Sequence, residues 1–503
     1  MLTPSQAEVV RLVERGDNVF FTGAAGTGKS HTLHAALAAL RARYDPSEVC
    51  VTAPTGLAAT AVGGTTLHAA MGLGCVDAEA DFERMWRVDT VRRLRSYRAL
   101  VIDEISMLSG ELFHVLDHTL RKIRGCDDAF GGLQLVACGD FMQLPPVSSA
   151  TGFRNRLFAF QSPSWAACGF HTVLLAHVFR QTDTTFRDLL ARLRDGEEAA
   201  LDLIGQLAMA SAEEAGDVAP PQLQLVTTNE ATKRINHEEL RKLGRPEFTA
   251  RARDSVEVRR PGDADMLRPS FGNMSAPPLL PMRVGARVIL LKNTEMWRGL
   301  ANGSTGRIMR FVTRASYAAD WRRRLRMVGD AQQLLESWGT PDSRIPIVRW
   351  DATEEATAVG PQAFEATLAG VGTARRVQLP LKLAWALTVH RAQGMSLDAV
   401  RVSLPASFAD GQAYVAVSRA RTLEGLDLRF KPGCVRASAE ARAFHASLEP
   451  GAAPFVCDAW QRLDPPPAAA PDEPARVRVT PDTRAACFKC GADEHASLSC
   501  PVY

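Results

Sequence analysis

Short apolar runs alternate with stretches of helical period through the first 150 residues. Asn18-Val-Phe-Phe-Thr22 is one such run and ends in glycines; His31 to Arg43 follows with Ala and Leu at helical spacing. Val49-Cys-Val-Thr-Ala53, Ala99-Leu-Val-Ile-Asp103 and Leu133-Gln-Leu-Val-Ala-Cys138 read as further strands. Strands that are apolar on both faces and alternate with helices predict a parallel sheet covered on both sides. A second α/β pattern runs from near Val173 to near Leu428, with Leu223-Gln-Leu-Val-Thr-Thr228 and Ala286-Arg-Val-Ile-Leu-Leu291 as its strands. Between Asn302 and about Pro380 the pattern changes to short strand candidates, Gly306 to Val312, Ile345 to Trp350 and Arg376 to Leu379. They sit among Gly, Pro and Arg-rich segments, which predicts a small inserted β-domain. From Asp464 to Pro474 the chain reads Asp-Pro-Pro-Pro-Ala-Ala-Ala-Pro-Asp-Glu-Pro, a stiff extended linker. No internal repeat is visible.

Composition narrows the class. A chain of 503 residues with 46% hydrophobic and 23% charged residues has the balance of a globular protein of several domains. No apolar run approaches the roughly 20 residues of a membrane helix. Met1-Leu-Thr-Pro-Ser-Gln6 has no basic region followed by an apolar one, so no secretory leader is expected. The net charge of +3 does not announce a nucleic-acid partner, and any basic track must be local. Cys50, Cys75, Cys126, Cys138, Cys168, Cys434 and Cys457 are scattered, as reduced and mostly buried thiols are, which points to an intracellular, reducing compartment. In a eukaryote the nucleus or mitochondrion is expected.

Gly23-Ala-Ala-Gly-Thr-Gly-Lys-Ser30 follows a strand and opens a helix, the context a phosphate-binding loop needs. Backbone N–H groups at Gly23, Gly26, Thr27 and Gly28 would wrap the phosphates of ATP, and the helix N-terminus adds positive potential. Lys29 would reach the β- and γ-phosphates, and the Ser30 hydroxyl would bind Mg²⁺. Val101-Ile-Asp-Glu-Ile105 closes another strand with two carboxylates. Asp103 is suited to hold Mg²⁺, and Glu104 to orient and deprotonate the attacking water. These features alone imply an NTPase of any kind.

The class is decided by what surrounds them. Leu2-Thr-Pro-Ser-Gln-Ala7 precedes the loop, and Ala53-Pro-Thr-Gly-Leu-Ala-Ala59 and Gly64-Thr-Thr-Leu-His68 follow it. Phe130-Gly-Gly-Leu-Gln-Leu-Val136 leads into Gly139-Asp-Phe-Met-Gln-Leu-Pro-Pro-Val147; far downstream stand Leu387-Thr-Val-His-Arg-Ala-Gln-Gly394 and Tyr414-Val-Ala-Val-Ser-Arg-Ala-Arg421. In this order the set, from about Met1 to Lys431, resembles the superfamily-one helicases of the RecD-related branch, and within them the Pif-one family. The resemblance implies an ATP-dependent DNA helicase that moves 5′-to-3′ on single-stranded DNA and unwinds forked duplexes as a monomer away from membranes. It also implies work in genome maintenance, whether repair, recombination or telomere maintenance. Gln6 resembles the glutamine that reads the adenine edge, and Gly394 a residue at the nucleotide. Gln143 resembles the residue that couples the γ-phosphate to DNA. Arg180, in Val178-Phe-Arg-Gln181, and Arg419 resemble the two arginines that clamp the γ-phosphate. A planar guanidinium matches the spread charge of a transferring phosphoryl group with two parallel hydrogen bonds. Thr55, Thr66, His68, Thr388 and His390 match positions that touch the single strand, where hydroxyls and imidazoles meet phosphate oxygens without reading bases.

The implied architecture is α/β: two RecA-like P-loop domains with parallel sheets, a small inserted β-barrel and a C-terminal zinc knuckle. The boundaries read as residues 1–172 for the first domain, 173–302 with 380–445 for the second and 303–379 for the insertion, with a linker at 464–486 and the knuckle at 487–500. Within the first domain, about residues 72–95 stand where the family places a strand-splitting wedge, with Met85 and Trp86 as candidates either for that wedge or for buried core. Trp321-Arg-Arg-Arg-Leu-Arg326 reads equally as a basic DNA track or as a solvated helix face. In the tail, Cys487, Cys490, His495 and Cys500 have the spacing C-x2-C-x4-H-x4-C, and three thiolates with one imidazole satisfy tetrahedral Zn²⁺. The spacing matches zinc knuckles that bind single-stranded nucleic acid. Phe488 and Lys489 favour that role and Asp493 and Glu494 oppose it, so a metal site for folding or protein contact stays open. Two other functions compete: the helicase module of a mobile element or virus, and a clamp that uses ATP as a switch without unwinding.

Overall fold

The computed structural model describes residues 2–55, 58–59, 62–73, 79–146, 156–214, 223–258, 264–292, 294, 300, 304–320, 334–335, 338–351, 353–368, 372–405, 409–449, 452–453, 455 and 459–462. The Pro-rich linker, Trp321 to Arg326 and the cysteine-rich tail lie outside the described residues.

Helix α1 (Pro4–Arg15) begins with proline at its first turn, where the missing N–H costs nothing, and a reciprocal cap between Thr3 and Gln6. Six strands then form one sheet: β1 (Val19–Thr22), β2 (Val49–Ala53), β3 (Thr65–Thr66), β4 (Ala99–Ile102), β5 (Gln134–Cys138) and β6 (His171–Leu174), in the order β3-β2-β4-β5-β1-β6. Every pairing is parallel, with Val19 opposite both Val136 and His171. Strands β1, β2, β4 and β5 are buried along their whole length because helices such as α2 (Lys29–Arg43) and α3 (Gly110–Arg124) cover them. A boundary at residue 172 would cut β6, which belongs to this sheet.

Beyond helix α4 (Thr184–Arg194) and strand β7 (Gln224–Val226) the chain turns antiparallel. Strands β8 (Phe248–Arg251), β9 (Arg253–Val258), β10 (Leu279–Met282), β11 (Arg287–Leu290), β12 (Thr305–Thr313), β13 (Arg344–Trp350), β14 (Ala356–Ala358), β15 (Gln362–Leu368), β16 (Gly372–Gln378) and β17 (Leu381–Leu383) form three sheets. Their orders are β14-β13-β12-β11-β17, β15-β16-β9 and β10-β8. The run Ala286–Leu291, which reads as part of the second α/β pattern, therefore pairs antiparallel with β12 and β17. Ala286, Val288 and Leu290 lie in a small core with Trp338 and Trp350, while Ile289 and Leu291 join the core of the second parallel sheet, and a strand buried on both faces looks alike in either kind of sheet. Strands β18 (Ala386–Thr388), β19 (Val400–Leu404) and β20 (Leu426–Phe430) restore the parallel pattern in the order β18-β7-β19-β20.

The helix Ala439–Ala446, placed with the second domain by sequence, returns to the first. Phe444 stacks on Phe160 at 4.1 Å and meets Phe141 edge-on at 5.5 Å, within an aromatic cluster that includes Phe20 and Trp165. Met85 and Trp86 lie in this same core, so of their two readings the buried one holds. No helix of the described residues is long and apolar enough to cross a membrane.

Candidate functional site

In open parallel sheets ligands bind beyond the carboxyl ends of the strands. The candidate residues gather there. The phosphate loop follows β1, Thr55 follows β2, Thr66 ends β3, Asp103 and Glu104 follow β4, Asp140 and Gln143 follow β5, and Arg180 follows β6. In the phosphate loop Gly26 and Gly28 take left-handed φ values of 85° and 81°. A Cβ on Gly23 would stand 2.5 Å from the Leu175 carbonyl, so the loop closes tightly only with glycine there. Lys29 begins α2, and its Nζ donates to the carbonyls of Gly23 at 2.8 Å and Ala24 at 3.1 Å. Ser30 follows it and is exposed.

Asp103 and Glu104 are adjacent carboxylates in a buried place. Burial pushes Asp103 up to about 7, and the Glu104 charge pushes the same way. Burial also raises Glu104, although Lys29, Arg419 and a hydrogen bond from Gln393 each hold it down. Glu104 has left-handed backbone, φ 51°, a conformation rare outside glycine and costly enough to mark a functional turn.

The second domain reaches this site. Arg180 Nη1 donates to the Ser418 carbonyl at 3.0 Å, next to Arg419. Arg419 is buried and donates to the carbonyls of Val415 (2.9 Å) and Met395 (3.3 Å) and to the Ser418 hydroxyl (3.0 Å). Burial depresses Arg180 to about 9, and the Arg419 charge is the next cause. The half-buried Arg180 and the buried Arg419 thus stand near enough for the Arg419 charge to weigh on Arg180 beside the phosphate loop, an arrangement that favours an anion there.

Some expected residues are engaged differently. Gln6 accepts the Thr3 N–H through Oε1 at 3.0 Å and donates from Nε2 to the Thr27 carbonyl at 3.4 Å. It thereby ties α1 to the phosphate loop. Gln143 donates to Asp140 Oδ2 at 3.2 Å. Thr55 and Thr66 are half-buried and cap local backbone N–H groups, and burial lowers His68 and His390 below the usual imidazole range. Thr388 is only 5% exposed, which leaves little surface for a strand contact. Gly394 has φ 82° and open space around it, so backbone conformation and not crowding asks for glycine.

Four residues passed over in the sequence complete the site. Gln393 Nε2 donates to Glu104 Oε2 at 2.9 Å. Gln181 Nε2 donates to the carbonyls on both sides of Arg419, Ser418 at 3.2 Å and Ala420 at 2.8 Å. The buried Tyr414 hydroxyl accepts the Ala25 N–H of the phosphate loop at 2.8 Å. Phe179, 51% exposed, lies over Gly28 and meets His177 edge-on, an open aromatic shelf beside Gln6. All four sit inside the quoted motifs, which mark the segment but do not single out these side chains from their polar neighbours. Among the described residues no cluster of three metal-ligating side chains occurs.

Residues 1–202 match the PIF1-like helicase family. The ATP-dependent DNA helicase PIF1 of Xenopus laevis is 36% identical over 456 residues, covering 89% of this chain and 64% of the frog protein. The chain therefore spans a little under two thirds of that relative's length. The crystal structure of Pif1 helicase from Candida albicans superposes with a TM-score of 0.72 at 31% identity, covering 89% of this chain and 100% of that one. Pif1 helicase from Bacteroides, solved in complex with ADP-AlF3 and ssDNA, superposes with a TM-score of 0.59 at 26% identity over 88% of this chain and 97% of that one. A site assembled from both parallel sheets and likenesses that run through both of them lead to one family: the chain belongs to the PIF1-like helicases.

Proposed function

We propose that this chain is an ATP-driven motor that moves 5′-to-3′ along single-stranded DNA and separates the duplex ahead of it. The observation that carries the reading is the pair of arginines, half-buried Arg180 leaving the first sheet and buried Arg419 in the second domain, brought together at the phosphate loop. Like charges so placed are relieved by a polyphosphate, and their relief draws the two domains together.

In the reaction a water oxygen attacks the γ-phosphorus while the bond to the β–γ bridging oxygen breaks, and ADP leaves with that oxygen. Glu104, raised by burial, takes the water proton. Lys29, Arg180 and Arg419 offset the charge spread over the γ-oxygens, and Phe179 and Gln6 border the place for the base. The Asp103 carboxylate and the Ser30 hydroxyl are oxygen donors of the kind Mg²⁺ takes, and the ion would neutralise the β- and γ-phosphates. Release of phosphate lets the domains part, which converts chemistry into movement. Thr55, Thr66, His68 and His390 are the proposed strand contacts, with Thr388 reduced to supporting the turn that carries His390. The proposal extends to a monomeric motor acting on forked DNA, to the antiparallel strands closing into a small barrel, and to zinc held by Cys487, Cys490, His495 and Cys500.

Strand displacement on forks with either a 5′ or a 3′ single-stranded tail tests the reading. ATP-dependent unwinding is expected with the 5′ tail alone. Lys29→Ala should abolish ATP turnover by removing phosphate stabilisation, and near-normal turnover in that variant would sink the site. DNA-stimulated hydrolysis with no unwinding on any fork would replace the motor by a clamp.

A further inference from the structure

We propose that Gln393 is a positioning residue through which the second domain sets the Glu104 carboxylate, so that hydrolysis answers to the DNA strand; the inference rests on the motor reading above. Its Nε2 donates to Glu104 Oε2 at 2.9 Å across 289 residues of sequence. Among the described residues this amide is the one hydrogen-bond donor to that carboxylate. Lys29 and Arg419 act on Glu104 through charge.

The chemistry of the contact suits a general base. A guanidinium in the same place would fix the carboxylate but depress its basicity much more strongly. A neutral amide fixes one oxygen and leaves the other free to take a proton. The Glu104 backbone is already held, with φ 51° at the cap of the short helix Ile105–Met107, so the side-chain torsions are what remains to be set. The far end of the amide, Gln393 Oε1, is buried with no hydrogen-bond partner. An unsatisfied buried acceptor is disfavoured by stability and is retained here beside the reacting carboxylate.

Where the amide comes from supplies the coupling. Gln393 caps the single helical turn Val389–Ala392, which starts from Thr388 and carries His390. A strand held at His390 therefore sets this turn, and the turn sets the distance from Gln393 to Glu104. Glu104 belongs to the first domain, so the base is complete only when the second domain is seated.

The test uses the full chain, with ATP turnover measured with and without an oligo-dT strand, alongside KM for ATP and strand affinity by anisotropy. Gln393→Met keeps side-chain length and flexibility but has no donor. It should lower DNA-stimulated kcat by roughly thirtyfold to a hundredfold, the scale of a misplaced catalytic group. KM for ATP, strand affinity and melting temperature should stay at wild-type values. Gln393→Glu should fall further, because two carboxylates repel. Stimulated kcat within about twofold of wild type for Gln393→Met would overturn the inference, as would a loss of kcat matched by loss of strand affinity and melting temperature. Wild-type turnover that oligo-dT does not raise would remove the motor reading and this inference with it, whereas normal stimulation retained by Gln393→Met removes this inference alone.

Discussion

Arg419 is held by three acceptors of its own domain, the carbonyls of Val415 and Met395 and the Ser418 hydroxyl, so its charge arrives at a fixed place when the domains meet. Gln181 tightens this turn from the other side by gripping the carbonyls of Ser418 and Ala420. On the proposed reading, an arginine preorganised in this way would act on the transition state and not on strand binding. Arg419→Ala should therefore cost on the order of a thousandfold in ATP turnover, the lower end of the arginine-finger range. Its affinity for single-stranded DNA without nucleotide should hardly change. Lost DNA affinity with turnover retained would move Arg419 to the strand track. That Lys29, Asp103 and Glu104 lie together at the strand ends could be expected from the sequence, because each follows a strand of one parallel sheet within a short motif. The partner of Glu104 was not legible, because Gln393 meets it only through the packing of two domains. Thr388 shows what a motif leaves open, since its residue is only 5% exposed although the motif suggested a strand contact.

Helix α4 carries a buried contact to a motif residue. Arg194 donates to Asp140 at 2.7 and 3.3 Å, and Gln143 and the Met142 N–H also donate to that carboxylate. Burial pushes the Asp140 carboxyl up, but Arg194, Lys29 and these hydrogen bonds outweigh it and hold it below the usual carboxylate range. A group depressed in the folded state adds stability that is complete above the ordinary carboxylate range and is lost as pH falls through its own lower value. Arg194→Ala leaves Asp140 buried without its cation, which should destabilise the fold by about 3–5 kcal/mol at neutral pH. Burial then dominates and raises the Asp140 carboxyl, so its contribution changes sign: the deficit of Arg194→Ala should be largest at neutral pH and shrink as pH falls and the carboxyl takes a proton; denaturant unfolding across pH reads both effects, and a pH profile parallel to that of the unaltered chain would show the pair to be unimportant. As elements go, Val49–Ala53 was legible to the residue, since apolar runs between helices report a doubly covered sheet. The antiparallel strands from Phe248 to Leu290 were not separable from the α/β pattern, because a short buried strand carries no mark of its partner's direction, whereas those at Thr305–Thr313 and Arg344–Trp350 stood out among Gly, Pro and Arg-rich segments.

Taken whole, the molecule is joined across its two parallel sheets by motif contacts at the site and by the returning helix Ala439–Ala446, whose Phe444 lies in the aromatic core of the first domain. That return places the last described segment, Ala459–Arg462, beside the first domain, where Trp460 meets the His114 ring at 4.5 Å. The Pro-rich linker starts just after it, at Asp464. On the proposed reading, a Pro-rich segment from this point would couple a tail module to the motor through effective concentration, without a part in the chemistry. If Cys487, Cys490, His495 and Cys500 hold one zinc ion, the metal supplies about 10–16 kcal/mol to order so small a module. Truncation after Leu463 should then remove the zinc and leave DNA-saturated ATP turnover near that of the full chain. The DNA concentration for half-saturation should rise, most clearly at higher salt, where the phosphate contacts of the motor weaken and a second attachment counts for more. A metal assay and DNA titrations of both chains decide the matter. Absence of zinc from the full chain would remove the premise, while zinc with superimposable titrations would assign the module to folding or to protein contact instead of DNA.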